Sequence, residues 1–192
     1  MRLDIFRLCG LLLGFTLLMM FVGCERGDSD RTPVVSQPAG TSLPMPPLGG
    51  KSLNDMGWQL ADGQRNLFSQ YKGSVLVLDF YATWCQPCRK SIPELVGLQD
   101  RFKDQGLKVI GLNVGGPTDW PRVFEFAREL KIQYTLAVPE SELSAFLLSD
   151  SQAIPQTFVF DRQGRLSKRI IGFSENDSEV LRSAVEGAVN AK

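Results

Sequence analysis

The sequence predicts one α/β domain in which helices cover both faces of a central sheet. The run at residues 75–81 is apolar on both of its faces, as strands inside a mostly parallel sheet are. Segments with apolar residues at helical spacing follow this run and alternate with further strand-like runs, which is typical of βαβ units. The chain has 192 residues, of which 43% are hydrophobic, so it can bury one ordinary core.

The first half of the predicted domain centres on residues 75–81. The series of elements begins at residues 58–60, ahead of a turn at residues 62–63. After the central strand, a helix is predicted in which Pro93 makes a kink. Residues 109–114 predict the next buried strand, reached through that helix in a right-handed crossover. The apolar stripe of the helix consists of Ile92, Leu95, Val96, Gln99 and Phe102.

A second covering helix is predicted after the capping candidates Thr118 and Asp119, with Pro121 in its first turn. Residues 134–138 predict a short strand, and a short helix opens after Pro139. The stripe of the second helix consists of Trp120, Val123, Phe124, Ala127 and Leu130, and that of the short helix of Leu143, Phe146 and Leu147.

The last part of the domain predicts a hairpin and a closing helix. Residues 157–160 and 165–171 flank a polar turn that contains Gly164, which is a hairpin signal. The closing helix carries its apolar stripe at Leu181, Ala184, Val185 and Ala188.

Charge and histidine content exclude several classes of function. Lys and Arg number 21, as do Asp and Glu, so the formal net charge of zero predicts no general attraction to nucleic acid or acidic lipid. The chain has no histidine. This excludes histidine proton shuttles and Ser-His or Cys-His nucleophile pairs, and it removes the commonest ligand for zinc, copper and haem.

Residues 1–23 read as a signal peptide of the lipoprotein type. Arg2 and Arg7 precede an apolar run at residues 8–22. At about 15 residues, the run is shorter than the roughly 17 to 25 that usually span a bilayer, which favours an export signal over a permanent anchor.

Cys24 is the predicted site of lipid attachment. Residues 21–24 (Phe-Val-Gly-Cys) resemble the lipobox of bacterial lipoproteins, in which the signal is cut before a cysteine that then carries lipid. The alternative is an ordinary apolar cysteine. Residues 24–50 are predicted to form a flexible linker because they are rich in Asp, Ser, Thr, Pro and Gly, and residues 51–192 form the folded domain. The prediction is therefore a lipid-anchored protein on the periplasmic or extracytoplasmic side of a membrane.

Cys85 and Cys88 are the candidate catalytic residues. With Cys9 in the signal and Cys24 lipidated, they are the two cysteines left in the mature domain, too few for a four-ligand zinc site. Cys85 lies at the start of a predicted helix, where backbone N–H groups and the macrodipole lower the pKa of a thiol, so it is the expected nucleophile. Cys88, nearly one turn deeper, is the expected resolving thiol, and the pair can form a redox disulfide.

The stretch at residues 79–88 (Asp-Phe-Tyr-Ala-Thr-Trp-Cys-Gln-Pro-Cys) resembles the active site of thioredoxin-like proteins of the TlpA/ResA type. The likeness extends from about Trp58 to the end of the chain. It implies a thioredoxin-like fold, with a mixed sheet flanked by helices and an extra strand and helix inserted before a cis-proline loop. It also implies that Pro155 is cis and that Ile154 and Pro155 lie beside the sulfurs, where their backbone meets substrate. Trp84 either contacts substrate or only packs.

Two positions depart from the pattern of that family. Asp79 stands where many of its members have Asn, although thioredoxin has a buried Asp that moves a proton to or from the deeper cysteine. Asp79 either serves similarly or is an acid at a strand end that caps the helix or reaches solvent. Ser91 stands where some reductases of cytochrome c maturation have Glu, which weakens that specific assignment.

The predicted function is that of a thiol-disulfide oxidoreductase that reduces protein disulfides, in cytochrome c maturation or cell-envelope redox homeostasis. It needs no cofactor or metal, and its partners are protein dithiols and disulfides and a membrane electron donor or thiol partner. The absence of histidine from the Gln86-Pro87 pair favours a reductant over an oxidase or isomerase. Copper delivery, a non-catalytic binding scaffold and a peroxiredoxin-like peroxidase remain as alternatives.

Overall fold

A computed structural model describes residues 51–191 of the protein. The predicted signal peptide, Cys24 and the linker up to residue 50 lie outside the described residues. Within residues 51–191, no helix is both long enough and apolar enough to cross a membrane.

Seven strands form one mixed sheet. The order across the sheet is β2-β1-β5-β4-β3-β6-β7. Strand β3 pairs in parallel with β4, and β4 pairs in parallel with β5, whereas the outer pairs are antiparallel. The strands are β1 (Gly57–Leu60), β2 (Arg65–Leu67), β3 (Val75–Tyr81), β4 (Leu107–Asn113), β5 (Thr135–Pro139), β6 (Gln156–Phe160) and β7 (Leu166–Ile171).

Four α-helices accompany the sheet, and the predicted crossover from β3 through a helix to a parallel β4 is confirmed. The first helix runs through Pro93 without ending there. The second is shorter than the sequence pattern predicts, because a 3-10 turn at Trp120–Arg122 precedes it. The helices are α1 (Gln86–Phe102), α2 (Val123–Glu129), α3 (Ser141–Leu147) and α4 (Glu175–Asn190).

The central strand β3 is buried at all seven positions, as its apolar sequence predicts. Alternate side chains enter two different cores, because successive residues of a strand point to opposite faces of the sheet. One core contains Leu76, Leu78 and Phe80, and the other contains Val75 and Val77. Full burial of a side chain of this kind contributes about 1.5–3 kcal/mol. The strand is therefore a rigid support for the residues that follow it.

Strand β2 was not predicted from the sequence. It has three residues, and none of them is fully buried. Arg65 in this strand forms an ion pair with Glu140, whose carboxylate also accepts a hydrogen bond of 3.0 Å from the backbone N–H of Gly57. This edge of the sheet depends on contacts between distant parts of the chain.

Arg162, in the hairpin turn after β6, holds three chain segments together. Its guanidinium donates hydrogen bonds to the carbonyl oxygens of Gly73 (3.1 Å), Gln105 (2.9 Å) and Val189 (3.2 Å). These carbonyls lie just before β3, just before β4 and near the end of α4. One side chain thus fixes the C-terminal helix to the starts of the two central strands.

Candidate active site

Cys85 and Cys88 lie where the central strand leads into the first helix. Strand β3 ends at Tyr81, and Cys85 is the N-cap residue of α1. The two cysteines form a disulfide with their Cα atoms 5.3 Å apart. In its disulfide form, such a pair can be attacked by an incoming thiolate, and in its reduced form it can attack an incoming disulfide.

The two sulfurs have different surroundings. The backbone N–H of Cys88 donates to the Cys85 sulfur at 3.2 Å, as expected for an N-cap side chain. Such a donor, together with the helix macrodipole, stabilises negative charge on Cys85 once the pair is reduced. Cys85 is 4% exposed and is flanked by the exposed Gln86 and Pro87, whereas Cys88 is 0% exposed. Cys85 is therefore the sulfur within reach of another molecule.

The loop before β6 lies against Cys85. The Ile154–Pro155 peptide bond is cis, as the family resemblance implied. The Cys85 sulfur lies 3.8 Å from the carbonyl oxygen of Ile154. Buried Gln156 fixes this loop, because its side-chain amide donates to the carbonyl oxygens of Ser151 (2.8 Å) and Ala153 (2.7 Å). No pattern in the sequence indicates this role for Gln156.

A cleft of about 420 Å³ opens beside the disulfide. Trp84, which is 60% exposed, and Ile154 lie on its wall next to Cys85. The cleft has no charged residue among the described residues that line it, so it suits an uncharged chain segment. These residues are Trp84, Asn113, Val114, Gly116, Val138, Pro139, Ser144, Leu148, Gln152 and Ile154.

Asp79 is a buried acid on β3, and burial raises its pKa to about 7. Its Oδ1 atom accepts a hydrogen bond of 2.8 Å from the hydroxyl of Thr157, which opposes that rise. Its Oδ2 atom has no hydrogen-bond partner within residues 51–191. With this pKa, Asp79 can hold or release a proton near neutral pH.

Asp119 is a second buried acid near the cysteines, and the sequence pattern did not indicate its role. The residue stands at the start of the 3-10 turn, but its side chain makes no capping hydrogen bond there. The carboxylate instead accepts hydrogen bonds from Thr83 and Asn113. Asp119 therefore does not cap the helix as predicted, and its side chain instead contacts the loop that carries Cys85.

Two further residues close to the cysteines have structural partners. The hydroxyl of buried Ser91 donates to the carbonyl oxygen of Cys88 at 3.0 Å. The guanidinium of Arg89 lies 5.2 Å from the centre of the Phe126 ring and pairs with Glu129 on α2. Arg89 thus joins the start of α1 to α2. In the described part of the chain, no group of three or more Cys, Asp or Glu residues is placed to hold a metal ion.

Comparison with known proteins identifies the family. Residues 50–169 match the model of the AhpC/TSA family. The chain belongs to this family. As an AhpC/TSA family member, it is 27% identical over 113 residues to the thiol-disulfide oxidoreductase ResA of Geobacillus thermodenitrificans, and 29% identical over 111 residues to ResA of Bacillus subtilis. Each match covers 58% of the chain, and the chain spans 62% and 60% of the length of these relatives.

The predicted fold of this AhpC/TSA family chain is confirmed by a solved structure. A thiol:disulfide interchange protein of the thioredoxin family from Chlorobium tepidum aligns with a TM-score of 0.61 at 25% identity. The alignment covers 72% of the chain and 97% of that structure. The domain therefore has a thioredoxin-like fold, with a mixed sheet and flanking helices.

Proposed function

We propose that the protein is a thiol-disulfide oxidoreductase that reduces disulfides in other proteins. The observation that carries this proposal is the disulfide between Cys85 and Cys88 at the N-terminus of α1. One sulfur is reachable and accepts a backbone N–H, while the other is fully buried. The resemblance to oxidoreductases named ResA supports the same reaction.

In the proposed reaction, the Cys85 thiolate attacks one sulfur of a substrate disulfide. A bond forms between Cys85 and that sulfur, and the other substrate sulfur leaves as a thiolate and takes up a proton. Cys88, as a thiolate, then attacks the Cys85 sulfur and releases the second substrate thiol. Two electrons pass to the substrate, and the protein is left with the Cys85–Cys88 disulfide.

We assign substrate contact to the surface around Cys85. Trp84 is exposed next to the nucleophile, and Ile154 presents its carbonyl oxygen close to the Cys85 sulfur. The cleft that begins at these residues would take an uncharged segment of the substrate beside its disulfide. Pro155 would hold the backbone of Ile154 in this position.

We assign to Asp79 the removal of the proton from Cys88 before the second step. Cys88 is completely buried, so water has little access to its thiol. Asp79 is also buried, and with a pKa of about 7 part of its population is ionised at neutral pH and able to accept a proton. The proton can pass from Cys88 to Asp79 by direct contact or through a water molecule between them.

The direction of electron flow is tested by the reduction potential. We expect a soluble form beginning at Lys51 to have a potential near about −270 mV in thiol-disulfide buffers, as in thioredoxin, because no histidine stabilises the Cys85 thiolate inside the motif. Thiol labelling gives the reduced fraction, and Cys85→Ser gives the baseline. A potential near roughly −120 mV would instead indicate an oxidase.

We further propose that the protein works outside the cytoplasm, anchored to a membrane by lipid on Cys24, and is recharged by a membrane electron donor or thiol partner. The apolar run at residues 8–22 and the lipobox-like residues 21–24 support the anchor. A cytoplasmic reductant could not reach the domain directly there, which is why a membrane donor is needed. Roles in cytochrome c maturation or envelope redox homeostasis fit this placement.

The anchor is tested by replacing Cys24. In cells fed radiolabelled palmitate, we expect the natural chain to incorporate label and Cys24→Ala to lose it, because Cys24 is the proposed attachment site of the acyl chain. The same variant should move from the membrane to the soluble fraction. Cys9→Ala is the control and should keep its label. Label that persists in Cys24→Ala would refute the anchor.

A further inference from the structure

The carboxylate of Asp119 forms a buried cluster with the loop between β3 and Cys85. Asp119 is 2% exposed, and its Oδ2 atom accepts the backbone N–H of Thr83 at 2.9 Å and the side-chain amide of Asn113 at 2.8 Å. Its Oδ1 atom accepts the hydroxyl of Thr83. Both oxygens are therefore used, and two of the three donors belong to the residue two positions before Cys85.

The backbone around Asp119 is shaped to admit its carboxylate. A Cβ atom on Gly115 would lie 2.2 Å from Oδ2 of Asp119, so only glycine leaves room there. The backbone N–H of Gly115 donates to Oδ1 of Asn113 at 3.2 Å, which orients the Asn113 amide toward Asp119. The segment after β4 is thus arranged around one acid that the reaction proposed above does not use.

We propose that Asp119 is a positioning residue for Cys85, in that its carboxylate holds Thr83 in place and keeps the Cys85 sulfur at the N-terminus of α1. This inference rests on the proposed function, because the position of Cys85 matters only if Cys85 reacts. Trp84 is the single residue between Thr83 and Cys85, so movement of Thr83 passes directly to the nucleophile. The backbone N–H of Cys88 stabilises the sulfur only in that place.

Asp119 carries its charge at neutral pH. Burial by itself raises the pKa of the carboxyl, but the hydrogen bonds from Thr83 and Asn113 and the charge of Arg122 outweigh it, so the pKa lies below its ordinary value. The cluster therefore joins an anion to neutral donors, and such hydrogen bonds are stronger than those between neutral groups. Because Asp119 is charged, the direction in which the reactivity of Cys85 changes distinguishes two roles for it. Loss of the charge alone would favour a thiolate on Cys85, whereas loss of positioning would disfavour it.

The experiment measures the rate at which iodoacetamide alkylates Cys85 in the full chain. Every protein carries Cys88→Ser, and mass spectrometry of the peptide with Cys85 excludes signal from Cys9 and Cys24. We expect Asp119→Ala to slow alkylation about 10-fold, because small misplacements of a reacting group cost factors of this size or larger. Thr83→Ala, which keeps the charge and the backbone hydrogen bond, should slow it about threefold.

The double variant distinguishes positioning through Thr83 from two independent effects. If Asp119 acts through Thr83, the chain with both substitutions should be no slower than the chain with Asp119→Ala alone. Asp161→Ala is the matched control, since the Asp161 carboxylate also accepts hydrogen bonds from two backbone N–H groups, those of Gln163 and Arg165. Asp161 follows the last residue of β6, whereas the loop that touches Cys85 precedes the first. It should lower stability and leave the alkylation rate unchanged.

Each other outcome overturns the proposal. Faster alkylation in Asp119→Ala would mean that the acid only repels the thiolate, and an unchanged rate with lower stability would mean a purely structural role. If Asp119→Ala does not fold, an unchanged rate in Thr83→Ala overturns it as well. Alkylation needs a thiol but no redox partner, so this test stands even if the protein reduces no disulfide. Failure of the proposed function would appear separately, as absence of disulfide reduction by the natural chain.

Discussion

Replacing Cys85 with serine is expected to lower the rate of protein-disulfide reduction by more than about 1,000-fold, because the hydroxyl is a far weaker nucleophile than a thiolate. Cys88→Ser should be inactive in turnover for a different reason. It still forms the bond between Cys85 and the substrate but has no thiol to break it. A mixed disulfide should therefore accumulate, visible as a higher-mass band on a non-reducing gel that disappears on reduction.

Ser91→Ala is a suitable control for these two variants. Ser91 is buried in the same helix, but its hydroxyl only donates to the carbonyl oxygen of Cys88, so activity should stay within a few-fold of the natural chain. Trapping of substrate by Cys85→Ser instead of Cys88→Ser would reverse the two assigned roles. A chain with both cysteines replaced that still complements a deletion strain would point to a binding scaffold. Peroxide consumption by the reduced protein would revive the peroxidase alternative.

Replacing Asp79 with asparagine is expected to remove a pH-dependent loss of stability. The pKa of Asp79 in the folded protein is about 7, above the ordinary value of 3.8, so the unfolded chain releases this proton at lower pH than the folded one. Stability of the natural chain should therefore fall as pH rises from about 4 to about 7, by an amount on the order of 4 kcal/mol. Asp79→Asn has no proton to release and should lack this fall.

The measurement is denaturant unfolding of both chains across that pH range, with the difference in unfolding free energy as the readout. Comparing the slopes with pH cancels the fixed cost of placing a buried amide at this site. Thr157→Val serves as a second variant. It removes the hydrogen bond that lowers the pKa of Asp79, so the fall should extend to higher pH. Equal pH dependence in the natural chain and Asp79→Asn would contradict the raised pKa.

The sequence predicted the centre of the sheet well because the signals there are local. Strand β3 was predicted with its observed bounds, since its seven consecutive buried positions are apolar at every residue except Asp79. The hairpin of β6 and β7 was also predicted, because its turn residues stand between two runs rich in strand formers. Strand β2 was missed because its three residues, two of which are polar, are too few to show an alternating pattern. Its position depends on pairing with β1.

The site was predicted as far as its residues are contiguous or carried by the family resemblance. The cysteine pair at a helix start and the cis bond before Pro155 are found as expected. The role of Asp119 could not be predicted, because a helix start gives an acid an obvious local use, whereas its partner Thr83 lies 36 positions earlier in the chain. The catalytic roles of Cys85, Cys88 and Asp79 and the substrate contacts of Trp84 and Ile154 remain predictions.

The contacts of Arg162 bear on how the protein can be handled. Strand β6 begins beside the loop that touches Cys85 and ends just before Arg162, so about 15 Å of extended chain separates the two ends. The last turn of α4 is held at the Arg162 end, away from the disulfide. An affinity tag or a surface linkage introduced directly after Ala191 would thus be attached at the end of the domain opposite the cysteines. A protein immobilised on a resin in this way should keep Cys85 facing the solution, ready to capture its partners from an extract.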